Sequence, residues 1–358
     1  MLFSLAVVAV AGTVASWNLG KLPVRATPPT ALQPDVASVE SPPKDATAAD
    51  LQLYRDLVVA VRRGENYYVA AKPELLKHGF PVRSTFNWRL PTYAYLFALL
   101  PGPWAIQGLL VLLVVAALVL HFQVEYSARG IGAAVVSSFV MLGVVKWSVD
   151  GLAFYTQELW ASILILLSLA AMGKGWRALA VSAGIAALLF RELALPFCFW
   201  AGIFAAYHRR WYEAAAWAGG IALFFAYLFW HSGQVAAQLT PADLATAGGG
   251  ISQWLKFGGL DFVLLTTRMN SFLFTAMGPV LFLYLLLSLL GLGSAKDERL
   301  NLQFIVAASY LVAFCLVGMK LNFYWGLLYA PLLPAGISVA GTALSTLHER
   351  AVLSEPKT

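Results

Sequence analysis

Long apolar runs recur along almost the whole of this 358-residue chain, and they constrain its fold more than any other feature. A helix needs about 20 apolar residues to cross the hydrocarbon core of a bilayer, and its backbone polar groups must be satisfied there. Charged residues make up only 12% of the sequence, whereas soluble domains average about a quarter. The runs therefore predict an all-α polytopic membrane protein. Despite the net charge of +6, no soluble basic region of domain size remains to bind nucleic acid, so membrane lipids are the expected anionic partners.

Ten runs are candidate membrane spans in one integral-membrane domain. The first covers residues 1–17, and the absence of Lys or Arg before it favours an uncleaved span over a signal peptide. A long outer loop over 18–91 begins with a Pro-rich connection, which cannot form a helix. The remaining spans fall within 92–345, before a cytoplasmic tail at 346–358. Their runs are 92–120, 131–149, 158–172, 178–190, 193–207, 214–230, 271–290, 302–317 and 326–344.

Basic residues are unevenly shared between the short connections, and cytoplasmic loops of membrane proteins carry the excess of Lys and Arg. The alternate loops 121–130, 173–177, 208–212 and 291–300 hold most of these residues. On the opposite side, only Lys146, Arg191 and Lys320 lie in or near short loops. The bias predicts a cytoplasmic N-terminus, with the 18–91 and 231–270 loops on the outer face.

The outer loop contains a predicted helix that begins near Thr47. A rotation of about 100° per residue places Asp50 on the same apolar stripe as Tyr54, and places Asp56 on the far side. Asp56 is expected to be a solvated residue paired with a neighbouring arginine. Two interpretations of Asp50 remain open. It points into a cavity, or it closes a capping box with Thr47 at the start of the helix, and the two roles are not exclusive.

Several short motifs resemble one family. Asp50-Leu-Gln-Leu-Tyr54 followed by Gly64-Glu-Asn-Tyr67 is similar to the D-x-x-x-Y…G-x-x-Y pattern after the first span of polyprenyl-phosphate-mannose-dependent glycosyltransferases of the GT-C superfamily. The layout of one span, a long outer loop with membrane-surface helices, and many further spans is similar too. The segments 87–92, 191–196 and 322–326 also resemble sequences of this group and its uncharacterised bacterial relatives.

The resemblance implies an inverting transfer of a sugar from a polyprenyl-phosphate donor to the hydroxyl of a lipid or glycan acceptor, with Asp50 as the general base. It also implies a bacterial inner membrane and an active site facing the periplasm or the cell exterior. The leaving phosphate calls for cations, and Arg89, Arg191 and Lys320 are the candidates on the outer face. Each has a structural alternative: Arg89 and Lys320 as interfacial anchors, and Arg191 as an ion pair with Glu192 at a tight turn.

Six further residues are candidates for substrate binding, because they lie in polar or aromatic segments of the same face: Tyr54, Glu158, Glu192, Asn322, Tyr324 and Trp325. Glu158 belongs to a predicted polar turn at 150–158, for which plain solvation is the alternative. His78 and His231 have no partners at metal-ligand spacing. No cofactor or metal is therefore expected, although some members of the superfamily use a divalent cation.

Two other functions remain open. A transporter or flippase of lipid-linked saccharides would also use an aromatic and basic cavity, but it would be expected to show internal repeats. A ligase or polymerase of lipid-linked glycans would typically carry its large functional loop late in the chain. The Gly-rich stretch within the 234–259 loop is expected to be a flexible hinge in a lid rather than a phosphate cradle.

Overall fold

The computed structural model describes residues 44–245 and 256–354. The predicted first span, the Pro-rich connection and the glycines of the predicted lid lie outside these ranges. Within them the chain forms helices and connecting turns without a strand, which confirms the all-α prediction. The α-helices are α1 (Lys44–Arg62), α2 (Tyr67–Lys77), α3 (Thr92–Leu99), α4 (Pro103–Val145), α5 (Gln157–Gly173), α6 (Arg177–Phe190), α7 (Leu195–Tyr207), α8 (Trp211–Gln238), α9 (Pro241–Ala245), α10 (Gly259–Thr267), α11 (Gly278–Ser294), α12 (Glu298–Leu316) and α13 (Pro334–Ser354).

Three helices of the described chain are long and apolar enough to cross a membrane: Pro103–Val149, Trp211–Gln238 and Glu298–Leu316. Residues 320–349 provide a fourth if their two arms, bent by 56°, form one span. Four shorter apolar helices, α5, α6, α7 and α11, coincide with predicted runs. They fall below the roughly 20 residues of a full span, which agrees with the expectation that some runs need their flanks to cross.

The predicted run 92–120 is wrong as a single helix. The chain leaves the helical conformation after Leu99, and α4 begins at Pro103, because Pro101 and Gly102 interrupt the hydrogen-bond ladder. In turn, α4 is too long for one crossing, and it is divided at Gly130, whose φ of 83° lies in the left-handed region that favours glycine. The second arm of α4 corresponds to the predicted run 131–149.

The four loops predicted to share one face do so. Ser127, Lys174, Arg210 and Glu298, one from each loop, line a common cavity of about 450 Å³. Since α12 starts at this cavity and ends just before the 319–324 segment, a spanning helix of about 28 Å separates the two ends of the molecule. The amphipathic helix α1 and helix α2 pack together beside that second end, outside the spanning segments. Which compartment each end faces stays a prediction.

Candidate functional site

A cavity of about 610 Å³ lies at the second end of the molecule. Its wall comes from α1, from the segments that follow α2, and from the turn that follows α12. These parts are distant in sequence and meet only in the fold. The polar or ionisable residues that line it are Asp50, Tyr54, His78, Asn87, Arg89, Lys256, Asn322 and Tyr324.

Helix α1 turns its apolar stripe inward, as its periodicity predicts. Tyr54 and Leu57 are 2% exposed and Val61 is 8% exposed, whereas Asp50 is half-buried at the cavity wall. The capping box at Thr47 is wrong, because the helix begins at Lys44 and carries Asp50 in its second turn. A carboxylate at that position is no longer needed for the helix start, so its environment is set by the cavity.

The other acid of α1 has a different environment. Asp56 accepts hydrogen bonds from Gln52 at 2.7 Å and from Lys77 at 3.1 Å. The prediction of an arginine partner is wrong, because Lys77, at the end of α2, and the following His78 pair with Asp56 instead. Partial burial raises the pKa of the Asp56 carboxyl, but these hydrogen bonds outweigh it and leave the pKa below its usual value. Asp56 therefore belongs to a surface ion-pair group.

Arg89 is buried in the protein and is not an interfacial anchor. It follows the 3₁₀ turn Thr85–Trp88, has a φ of 54°, and is 9% exposed. The hydroxyl of Tyr67 donates to the carbonyls of Trp88 and Arg89, which holds this unusual backbone in place. The guanidinium consequently points back towards α1, where its Nε donates to the Tyr54 hydroxyl at 3.0 Å.

Tyr324 joins the cation to the acid. Its hydroxyl donates to Oδ2 of Asp50 at 3.1 Å and lies 3.3 Å from Nη2 of Arg89, which donates to it. No ion pair joins Asp50 directly to a cation in the described residues, although both charged groups line one cavity. The remaining donors of Arg89 are thus not consumed by the carboxylate.

The position of Asp50 alters its acidity. Burial raises the pKa of the Asp50 carboxyl above its usual value, and the nearby Glu158 adds to the rise. Arg89 and the hydrogen bond from Tyr324 act in the opposite direction but do not cancel it. A carboxylate with a raised pKa holds a proton more strongly once it has taken one, which suits a general base.

Arg191 lies in a second buried group near Asp50. Its Nε lies 2.7 Å from Glu158, and its Nη1 pairs with Glu192. The predicted solvated turn is wrong at Glu158, which is fully buried, and both of its carboxylate oxygens lack a hydrogen bond within the described protein. Arg191 is therefore balanced by two carboxylates, yet it remains near enough to affect the charge of Asp50.

The other predicted residues divide between wall and core. Asn322 lines the cavity at 7% exposure, and its Nδ2 has no partner among the described residues. Trp325 instead packs against Phe262 and Phe314. Lys320 is exposed, and neither it nor Arg191 is among the described residues lining the cavity. Besides Arg89, the cation Lys256 lines the cavity, and it comes just after the undescribed part of the 231–270 loop. No local sequence motif marks it.

The expectation that His78 has no ligand partners is wrong. Atoms of Asp56, Glu74 and His78 lie within 4.8 Å of one another, a set that is able to ligate a metal. Lys77 bonds to both carboxylates of this group, so an ammonium already balances their charge. His231 has a different partner, the Tyr68 hydroxyl, at 2.9 Å from its Nδ1. A reaction without metal or cofactor stays a prediction.

No protein-family model and no curated protein matches this chain. It is similar to two crystal structures of ArnT from Cupriavidus metallidurans, one bound to undecaprenyl phosphate and one in the apo state. The first is 14% identical with a TM-score of 0.49, and the second is 15% identical with a TM-score of 0.45. Each alignment covers 98% of this chain but only 64% and 61% of the respective ArnT chain. Residue roles in this chain rest on its own contacts.

Proposed function

We propose that this protein is an inverting GT-C-type glycosyltransferase that moves a sugar from a polyprenyl-phosphate donor to an acceptor hydroxyl in the Asp50 cavity. One observation carries the proposal. A carboxylate with a raised pKa and a buried guanidinium line the same cavity without pairing with each other. Inverting transfer from a lipid phosphate needs both groups, a base for the acceptor and a cation for the leaving group.

The chemistry follows from these two charges. Asp50 takes the proton of the acceptor hydroxyl as its oxygen attacks the anomeric carbon of the donor sugar. The bond between that carbon and the phosphate oxygen breaks, and its electron pair leaves with the polyprenyl phosphate. The charge that grows on the phosphate is stabilised by Arg89, whose planar fork matches phosphate oxygens, and by Lys256 at the same wall.

Two asparagines at the cavity are suited to holding the sugar. Asn322 offers an amide donor without a partner in the described protein, whereas Asn87 lines the same cavity with its Nδ2 donating to the carbonyl of Pro81 and its amide oxygen as an acceptor. A buried donor without a partner costs free energy, about 1–3 kcal/mol, which a sugar hydroxyl in the cavity would recover. The roles predicted for Arg191, Glu158 and Glu192 are then indirect, because these side chains already pair with one another.

A matched pair of variants on one helix tests the function. Purified protein in lipid nanodiscs is incubated with a panel of polyprenyl-phosphate sugars and candidate acceptors, and release of polyprenyl phosphate is measured. We expect Asp50→Asn to reduce turnover by about 10²- to 10⁴-fold, the usual contribution of a positioned base. Asp56→Asn is the control, since Asp56 lies on the other side of α1 in an ion-pair group.

Full turnover by Asp50→Asn would overturn the role of the base. Movement of intact donors across vesicles without any release of polyprenyl phosphate would favour the transporter instead. The two variants carry the same chemical change on the same helix, so a defect common to both reports folding and not catalysis. Unfolding temperatures of both proteins in the same nanodiscs give the necessary check.

A further inference from the structure

Tyr324 lies between the two charges on which the proposed reaction depends. Its hydroxyl hydrogen goes to Asp50, and its oxygen accepts from Arg89, so the single O–H group contacts both. A second donor of the guanidinium, Nε, bonds in the same way to the hydroxyl of Tyr54. Two phenol groups therefore contact the buried cation, and a carboxylate lies close by.

A carboxylate and a guanidinium that share a buried cavity normally form a direct ion pair, because low polarity strengthens their attraction. Such a pair would lower the pKa of the acid and occupy the donors of the cation. It would therefore weaken a base and a phosphate ligand at once. In the described residues this pair does not form, and the phenol of Tyr324 fills the position between the groups.

We propose that Tyr324 is a positioning residue that keeps Asp50 and Arg89 apart, so that one remains a base and the other remains free for phosphate. This inference rests on the proposed function, because the separation of the two charges serves the proposed sugar transfer. The aromatic ring acts by volume and the hydroxyl by hydrogen bonding. The two parts of the side chain can be removed separately.

The other charged or titratable groups around Asp50 are placed differently. Glu158 and Arg191 act on it as members of their own ion-paired group, and their contributions oppose each other. His78 and Lys256 line the cavity from the segments after α2 and before α10. None of these four is hydrogen-bonded to the Asp50 carboxylate in the described protein. Changes at Tyr324 should consequently act on Asp50 through Arg89 and the lost hydrogen bond.

Two substitutions at this position are expected to move the pH profile in opposite directions. Tyr324→Phe keeps the ring but removes a hydrogen bond to the charged carboxylate, so the acidic limb of kcat/KM should move up by about one pH unit. Tyr324→Ala also removes the ring, so Arg89 can pair with Asp50. The acidic limb should then move down by about one unit or more, because an adjacent arginine lowers an aspartate pKa.

Tyr329→Phe is the matched control. Tyr329 is a fully buried tyrosine of the same irregular segment, and its hydroxyl bonds to Thr266 at 2.9 Å and Thr267 at 3.0 Å, away from the cavity. Its loss should leave the acidic limb in place. A structural role of Tyr324 alone would lower the rate of both its variants without moving the limb, and that outcome would overturn the proposal. So would shifts in the same direction for both variants.

Failure of the inference and failure of the proposed function give different results. If Asp50→Asn abolishes turnover while the Tyr324 variants keep the wild-type pH profile, the reaction stands and the separating role is wrong. If Asp50→Asn turns over normally, the acidic limb of the wild-type enzyme belongs to another group. The role of Tyr324 then falls with the proposed function.

Discussion

The two ends of this protein contain the same kinds of charged residues in opposite arrangements. At the end with the 450 Å³ cavity, Glu125 lies 2.5 Å from Arg299, and Arg129 lies 2.8 Å from Asp297. Arg210 bridges two further acids in the same direct way. At the Asp50 end, a tyrosine hydroxyl separates the carboxylate from Arg89. Charges that pair directly hold the helices together, whereas the separated charges remain available to a substrate.

Arg191 belongs with the directly paired charges. Its Nε lies 2.7 Å from the fully buried Glu158 and a second nitrogen pairs with Glu192, so its surroundings resemble the ion-pair end of the molecule more than the Asp50 cavity. Buried pairs contribute little net stability, but removing one partner leaves a charge that is costly to bury. Neutralising a directly paired acid should therefore destabilise the fold, whereas changes at the Asp50 cavity should act on turnover.

The largest effect is expected for Glu125→Gln. Glu125 is fully buried and pairs with Arg129 and Arg299, so its neutralisation leaves Arg299, itself 8% exposed, without an ion pair among the described residues. Loss of one partner of a buried pair typically costs about 3–5 kcal/mol. We expect a clear fall in the unfolding temperature in detergent. Glu65→Gln is the control, because Glu65 is exposed and has no ion pair among the described residues.

If Glu125→Gln unfolds at the wild-type temperature, the ion pairs at that end do not hold the helices and the contrast between the two ends is lost. Turnover per folded molecule should stay at the wild-type level, since a spanning helix separates Glu125 from the Asp50 cavity. A specific loss of turnover in folded protein would mean that the two ends are coupled.

A smaller effect is expected for Arg89→Lys. The substitution keeps the charge but removes the planar fork, and with it the simultaneous contacts to Tyr54 and Tyr324. We expect kcat/KM for the polyprenyl-phosphate donor to fall by about 10- to 100-fold, in line with roughly 1.5–3 kcal/mol for a hydrogen bond to a charged group. Arg83→Lys, at a partly exposed position before the same turn and outside the cavity lining, serves as the control. Equal kinetics for Arg89→Lys and wild type would contradict phosphate binding by Arg89.

The sequence predicts the helical parts of this structure better than their interruptions. Hydropathy locates α6 to within a residue, because Arg177 and Arg191 bound its apolar run. Hydropathy predicts one continuous run over residues 92–120, because it is insensitive to backbone geometry. Pro101 and Gly102 nevertheless mark the break between the two helices. Helical phase likewise predicts the inward stripe of α1 from a local repeat of 3.6 residues.

The contacts of the candidate site are of another kind. Asp50 and Tyr324 are 274 positions apart in the sequence, and Arg89 and Tyr324 are 235 positions apart. A local periodicity does not encode contacts over such sequence separations. The family resemblance names Asp50 and the outer-face cations, but it does not distinguish the buried Arg89 from the exposed Lys320. That distinction depends on the turn after Trp88 and on the hydroxyl of Tyr67, which fix the direction of the Arg89 side chain.

The smallest effect is expected for Lys320→Ala, and it is most informative beside Lys256→Ala. Both lysines are exposed and lack an ion pair within the described chain, but only Lys256 lines the cavity. If location decides the role, Lys256→Ala should raise KM for the donor several-fold, since a solvent-exposed charge contact is worth about 0.2–1 kcal/mol. Lys320→Ala should leave KM unchanged. The reverse result would move the donor phosphate out of the Asp50 cavity towards the exposed face beside it, and would remove the reason for keeping Arg89 separate from Asp50.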